Sequence, residues 1–249
     1  MPDPRHYYEF HDAEYIKRIH AGQVGWEKGG YDEFFMRSFV ARSLEWTNLR
    51  GPGCRALDLG CGTGALSCQL AEAGFAVTGV DVSPTAIGFA REMAKHRGLQ
   101  ITFEVGDVCQ DQVFSEKFDL VVDGHLLHCI VFEEQRRTLL KRICRSLSSG
   151  GEFWVETMLL DDAHEPNPGW NLDERGVVWT RIPEKDQCHE AIQRNGEWYL
   201  PQRLIARSRE FLLEELHLAE LHILKEECYA PLEPGAPGGF RARCRRADL

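Results

Sequence analysis

The chain is predicted to be an α/β protein: a doubly wound, mainly parallel seven-stranded sheet with helices on both faces and an antiparallel closing hairpin. Three observations predict it. Between residues 55 and 157, short β-rich runs alternate with stretches of helical spacing, the rhythm of a parallel sheet. The first run, Arg55-Ala-Leu-Asp-Leu, passes into a turn containing Gly60, Gly62 and Gly64 and then into a helix. Near the end, residues 221–229 and 240–246 read as two strands joined by a loop rich in proline and glycine.

Taken in order, residues 6–20 place Tyr7, Phe10, Tyr15, Ile16 and Ile19 at helical spacing, and a loop over 21–30 carries Trp26. Residues 31–48 predict a second helix with Phe34, Phe35, Phe39 and Leu44 toward a core, ended by Arg50-Gly-Pro-Gly53. The helix after the glycine turn runs from Ala65 and stops at Gly74. Phe75-Ala-Val-Thr-Gly-Val80 is a second strand ending at Asp81. Ser83-Pro84 starts a helix, serine as N-cap and proline in the first turn, and Gly98 is its natural C′ residue. Residues 101–105 form a third strand, followed by Gly106-Asp107-Val108. Phe118-Asp-Leu-Val-Val-Asp123 is a fourth, leading into Gly124-His-Leu-Leu-His-Cys-Ile130. A helix over 133–147 ends at Gly150-Gly151, and 152–157 is a fifth strand.

The rhythm breaks after Thr157. Residues 158–206 hold Pro166, Pro168 and Pro183, with strand-like pieces at 177–182 and 190–205, the latter split by an Asn195-Gly196 hairpin signal. Ser208 caps a short helix with Phe211, Leu212 and Leu216 on one side. The basic run Arg241-Ala-Arg-Cys-Arg-Arg246 reads as an exposed last strand.

Composition narrows the function. A formal charge of -10 argues against a nucleic-acid backbone as the main partner. Nine cysteines without a CxxC pair suggest reduced thiols in a cytoplasmic compartment. No His/Cys/Asp cluster has zinc spacing, so no metal is expected. The N-terminus lacks the apolar core of a signal peptide, and no apolar run approaches the ~20 residues of a membrane span.

A strand, glycine turn and helix place backbone N–H groups beside a ligand. Gly60-x-Gly62-x-x-Ala65 also satisfies the loose dinucleotide fingerprint, so a nicotinamide-dependent reductase is one reading. Asp58 opposes it, because a carboxylate before the glycines repels a pyrophosphate and attracts a cation. Asp81 at the second strand's end can accept ribose hydroxyls, and Asp107 after the third can accept from an adenine amino group. A cationic, nucleotide-like ligand such as S-adenosylmethionine (SAM) suits this set and the closing hairpin.

Leu57-Asp-Leu-Gly-Cys-Gly-Thr-Gly64, Val80-Asp-Val-Ser83, Gly106-Asp-Val108 and Phe118-Asp-Leu-Val-Val-Asp123 together resemble the ordered motifs of class I SAM-dependent methyltransferases of the small-molecule type. The resemblance covers roughly residues 50–157. It implies that Gly60 and Gly62 line the methionine part of SAM, Asp81 the ribose and Asp107 the adenine, with Asp58, Cys61, Val82, Gly106, Val108 and Asp123 also among the cofactor-binding residues. It implies one domain over 1–249: a helical N-terminal lid at 1–50, a SAM-binding core at 51–157, an insertion over the active site at 158–206, and a C-terminal helix and closing hairpin at 207–249.

Methyl transfer is an in-line displacement to N, O or S, so positioning dominates, and a base is needed only for a protonated acceptor. The segment after the fourth strand offers Asp123, His125 and His128. His125 is the preferred base or acceptor-orienting group because imidazole titrates near neutral pH. His128 fits a family position, and Asp123 is expected to orient rather than to take a proton. Trp170, Trp179, Trp198 and Tyr199, interspersed with Arg175, Arg181 and Arg203, either hold an aromatic or acidic small molecule or form the insertion's own core. The expected partner is a small-molecule methyl acceptor, with the protein a monomer or homodimer. The rivals are the reductase, a non-catalytic SAM-binding regulator and a protein methyltransferase.

Overall fold

The computed structural model describes residues 6–26, 30–34, 36–49, 53–110, 114–160, 171–183, 188–231 and 235–247. Phe35, the Pro166 and Pro168 region and Trp170 lie outside them. The expected first helix is a 3-10 turn, Tyr7–Phe10, continued by α1 (His11–His20). The second is shorter than its periodicity suggests: a 3-10 turn at Gly30–Glu33 precedes α2 (Arg37–Trp46), after which Thr47 turns extended.

The alternating core follows: β1 (Arg55–Leu59), α3 (Ala65–Glu72), β2 (Ala76–Asp81), α4 (Pro84–His96), β3 (Thr102–Val105), β4 (Phe118–Gly124), α5 (Glu133–Ser146) and β5 (Leu147–Leu159). Ser83 caps α4 as expected, its Oγ accepting from the Ala86 N–H at 2.9 Å. The insertion contributes β6 (Asn171–Leu172), β7 (Val177–Ile182), β8 (Ile192–Arg194) and β9 (Glu197–Leu204). The chain closes with α6 (Arg209–Leu218), β10 (Leu221–Tyr229) and β11 (Gly238–Arg246).

The predicted fold class is borne out. Seven strands lie in the order β10-β11-β5-β4-β1-β2-β3, with β1 parallel to both β2 and β4, and β11 antiparallel to β5 and β10. Strand periodicity sorts side chains to two faces. Leu57, Leu59, Val121 and Phe153 meet α5 and α6 through Leu139, Ile143, Leu212 and Leu216. Ala56, Leu120, Val122 and Trp154 meet α2 and α3 through Phe39, Val40, Leu66 and Leu70. Burying such side chains on both faces stabilises by roughly 1.5–3 kcal/mol each.

Two expectations are corrected. Gly150-Gly151 does not close the helix but lies inside β5, where the register with β4 shifts between Phe118 and Leu120. The basic terminal strand is not exposed. β11 inserts between β10 and β5, and the guanidinium groups of Arg241 and Arg243 are neutralised by Glu156 and Glu152, each at 2.7 Å. A buried cation needs such a partner, and antiparallel pairing with β5 supplies one.

The insertion folds as a separate antiparallel sheet, β6-β7-β9-β8, with Asn195 and Gly196 both at positive φ in the turn between β8 and β9. Trp179, Val177, Leu200 and Leu204 pack with Tyr7, Tyr8 and Val131, so this sheet leans on the N-terminal segment and the loop after β4. No described helix is long and apolar enough to cross a membrane.

Candidate active site

β1 sits where the chain reverses direction across the sheet, so the carboxyl ends of β1 and β4 border a crevice. The glycine turn closes it from one side. A Cβ on Gly60 would lie 3.0 Å from Leu126, and one on Gly62 would lie 2.7 Å from the Tyr15 hydroxyl, so side chains are excluded there by the segment after β4 and by α1. Both residues also have positive φ, 64° and 53°. The Cys61 N–H donates to the Val80 carbonyl at 3.0 Å and ties the turn to β2.

Three carboxylates end up around this turn in different states. Asp81 accepts from the Gly62 N–H at 2.9 Å and the Ser83 N–H at 2.8 Å; burial raises its pKa while these bonds oppose the rise. Asp107 accepts from the Tyr8 hydroxyl at 2.9 Å and the Cys109 N–H at 2.8 Å. Asp58 is 1% exposed and accepts from Ser67 Oγ at 2.6 Å; burial pushes its pKa up to about 7, despite that bond. Two accepted hydrogen bonds leave a carboxylate further lone pairs for a ligand.

A cavity of about 440 Å³ lies over these groups, within the usual size of ligand pockets. Asp58, Gly60, Cys61, Gly62, Asp81 and Val82 line it from β1, the turn and β2. Gly106, Asp107 and Val108 line it from beyond β3, and His125 and His128 from beyond β4. Asp123 does not. It is fully buried, and its Oδ1 accepts from the N–H groups of Leu126 at 2.7 Å and Leu127 at 3.2 Å. Burial pushes it up to about 7. Its carboxyl therefore shapes the turn that carries the two histidines and does not touch the cavity.

His125 has a positive φ of 83°, uncommon for a side chain with a Cβ. Its N–H donates to the Glu156 carbonyl at 3.3 Å, and its Nε2 lies 3.2 Å from Glu156 Oε1. Glu156 is fully buried and is held in turn by Arg241 Nε at 2.7 Å and by the Tyr229 hydroxyl. His128 packs edge-on against His125 with ring centroids 5.1 Å apart. Burial, then the neighbouring His125, holds its pKa well below 6.5, so the ring is neutral, and its buried Nδ1 has no hydrogen-bond partner among the described residues.

Of the N-terminal and insertion residues that complete the lining, sequence reasoning named Tyr15, Trp26 and Arg203 and missed His11 and Gln202. Tyr8, His11, Tyr15 and Trp26 line it from one side, Gln202 and Arg203 from β9. Helical spacing marked Tyr15 as a packing residue, and nothing local marks His11. Trp179, Trp198, Tyr199, Arg175 and Arg181 do not line the cavity; Trp179 belongs to the insertion's core, its indole N–H donating to Asp173 at 2.9 Å. The N-terminal segment is fastened to the rim at several points. Asp12 Oδ1 accepts from Ser83 Oγ at 2.6 Å and the Thr85 N–H at 3.1 Å, and the Tyr7 hydroxyl accepts from the Val131 N–H at 2.8 Å.

A family model described as a methyltransferase domain matches residues 50–199. The chain belongs to the methyltransferase-domain family. Its fold and its ordered motifs are those of the class I SAM-dependent enzymes. Over 148 residues it is 34% identical to the 2-heptyl-1-hydroxyquinolin-4(1H)-one methyltransferase of Mycobacteroides abscessus, covering 57% of this chain and 65% of that one. The chain spans about two fifths to just under two thirds of the length of such curated relatives. The 1,6-didemethyltoxoflavin-N1-methyltransferase of Burkholderia thailandensis, solved with bound 1,6-didemethyltoxoflavin and S-adenosylhomocysteine, superposes at a TM-score of 0.64 with 19% identity, over 100% of this chain and 92% of that one. The [4+2]-cyclase SpnF superposes at 0.66, also at 19% identity, over 99% of both chains. At that identity only the fold is shared, and a fold that serves a transferase and a cyclase does not name the reaction.

The residues of this methyltransferase domain fit SAM better than a dinucleotide. Three carboxylates surround the glycine turn, and Arg203 is the sole lysine or arginine among the described residues lining the cavity. That charge set attracts a sulfonium and an ammonium and repels a pyrophosphate.

Proposed function

We propose that the protein transfers a methyl group from SAM to a nitrogen, oxygen or sulfur atom of a small molecule. The observation that carries this reading is one continuous cavity with Asp81 and Asp107 at one side and His125 and His128 at the other. Asp81 would hold the ribose, Asp107 the adenine, and Gly60, Cys61 and Gly62 the methionine part, with Asp58, once ionised, adding negative potential beneath it.

Bound there, SAM supplies a methyl carbon on a positively charged sulfur, which an acceptor lone pair displaces. His125 would orient the acceptor and, where the acceptor arrives protonated, take its proton. A carboxylate accepts, so in the pair with Glu156 the His125 Nε2 would be the donor. His128 would contact the acceptor, and Asp123 would keep the turn that presents both rings. Residues 1–50 would act as a lid that excludes water, as the latch of Tyr8 to Asp107 suggests. A small acceptor is supported by the curated relatives' own substrates and by the modest cavity volume, about 440 Å³.

Calorimetry with SAM and S-adenosylhomocysteine, followed by mass spectrometry of hydroxylated heteroaromatic compounds incubated with SAM, tests this reading. Micromolar binding and a 14-dalton product gain, roughly one CH₂, are expected. Tight NAD(P) binding without SAM binding would overturn it, and SAM binding with no transfer to any compound class would point to the regulatory alternative.

A further inference from the structure

We propose that the methyl acceptor is a planar organic anion, and that Arg203, with His128 beside it, forms the subsite for its negatively charged oxygen. This rests on reading the cavity as a methyl-transfer site.

Arg203 lies on β9, half-buried, with its side chain in the cavity wall. The other described arginines of the insertion have partners: Arg175 and Arg194 pair with Asp173, Arg181 with Glu197, and Arg207 donates to the Asp173 carbonyl. The backbone of Arg203 pairs with β7 opposite Val178, but its guanidinium has no hydrogen bond or ion pair among the described residues. A half-buried guanidinium in the wall of an otherwise apolar and acidic cavity, with five donors unspent among the described residues, suits an anionic group.

A second observation points to the same place. β9 packs against the 3-10 turn Leu127–Cys129, and on that turn His128, 6% exposed, has its buried Nδ1 without a partner among the described residues. Buried polar atoms are satisfied in the great majority of native structures, so an orphan in a cavity wall marks a ligand contact. Arg203 is close enough for its charge to act on His128 and on His11, whose pKa burial and this guanidinium lower to about 4. Both rings are therefore neutral, and Arg203 remains the cation of this corner.

Charge is thus divided across the cavity. Asp58, Asp81 and Asp107 sit at the carboxyl ends of β1 to β3, each already tied to Ser67, Gly62 and Tyr8 respectively. The cation lies beyond β4. A positively charged cofactor and a negatively charged acceptor are sorted to opposite ends by Coulomb forces. The wall beside Arg203 is aromatic: His11 meets Trp26 edge-on at 5.9 Å, and Trp26 meets Tyr15 at 5.7 Å. That wall suits a flat ring system carrying the anionic group. An oxygen already ionised in this field is a nucleophile without a base.

Calorimetric titration of the full chain with 2-naphthoate and the neutral 2-naphthamide, each with and without S-adenosylhomocysteine, tests the subsite. The naphthoate is expected to bind about tenfold tighter or more, as a charge-assisted pair in a partly desolvated site implies. Arg203→Gln should erase that preference, and Arg203→Lys should retain part of it. Unchanged melting of both variants shows that they fold. Equal affinity for the two probes, no naphthoate binding to the wild type, or a preference that survives Arg203→Gln would each overturn the proposal. Failure of S-adenosylhomocysteine to bind would instead remove the methyl-transfer reading, and the titrations without it would still decide the anion site.

Discussion

His125 is bonded to Glu156 twice, through its main-chain N–H at 3.3 Å and its Nε2 at 3.2 Å. Glu156 comes from β5 and His125 from the end of β4, so two parallel neighbours fix both the backbone and the ring. Left-handed backbone at a residue with a Cβ costs about 1–2 kcal/mol, and these bonds help to offset it. The arrangement fixes where His125 presents its ring to the cavity.

His125→Ala is expected to lower turnover by ~10²-fold or more while SAM affinity stays nearly unchanged. Steady-state kinetics alongside calorimetry check this, and a near-wild-type rate removes His125 from the mechanism.

Glu156→Gln should do damage of two kinds. It leaves the buried Arg241 guanidinium short of its main anion, a loss of about 3 kcal/mol in urea denaturation, and it frees the His125 ring. Turnover should fall more than KM changes. A variant of wild-type stability would show that the Glu156–Arg241 pair contributes nothing net.

Asp81→Asn should weaken SAM binding by about tenfold or more, because one carboxylate both holds the Gly62 and Ser83 N–H groups and faces the cavity. Unaltered calorimetric affinity would sink the assignment of Asp81 to the ribose.

Burial raises Asp58 from 3.8 to about 7. The folded state then holds a proton more tightly than the unfolded chain, so the contribution to stability is full below about pH 4 and is lost as pH rises to about 7. His11 acts in the opposite sense, its pKa being lowered to about 4. Comparison with Asp58→Asn isolates the carboxyl: the wild-type melting temperature relative to the variant should fall between about pH 4 and 7 and level off above. A flat difference across that window refutes the upward shift of the Asp58 carboxyl.

Asp12→Ala removes the acceptor for Ser83 Oγ and the Thr85 N–H at the start of α4, at a cost of about 1 kcal/mol. Limited proteolysis should then cut ahead of residue 50 faster than in the wild type, leaving the sheet intact. Equal rates would mean that the N-terminal segment is held by its aromatic packing alone.

Much of the acidic side of the cavity is legible in the sequence. The β1–turn–α3 unit, the capped start of α4, and the placing of Asp58, Asp81 and Asp107 at strand ends all follow from contiguous residues. Strand period, glycine turns and N-caps are local rules, and short segments obey them independently of the rest. Those rules place Asp81 at the end of β2, and the structure brings it to Gly62, 19 residues away.

The side that carries the histidines is different. His125 and Glu156 are 31 residues apart, and His11, His128 and Arg203 come from α1, the turn after β4 and β9. No periodicity predicts which side chains three separately folded elements will turn toward one another. Asp123 illustrates the same point within a single motif: the sequence locates it at a strand end, and only packing decides that it caps Leu126 and Leu127 instead of facing the cavity. The sequence by itself determined the sheet and the acidic rim of the cavity, because both are written in local pattern. Tertiary structure alone decided the pairing of His125 with Glu156, the burial of β11 and the corner held by Arg203, because long-range packing chooses partners that local pattern does not contain.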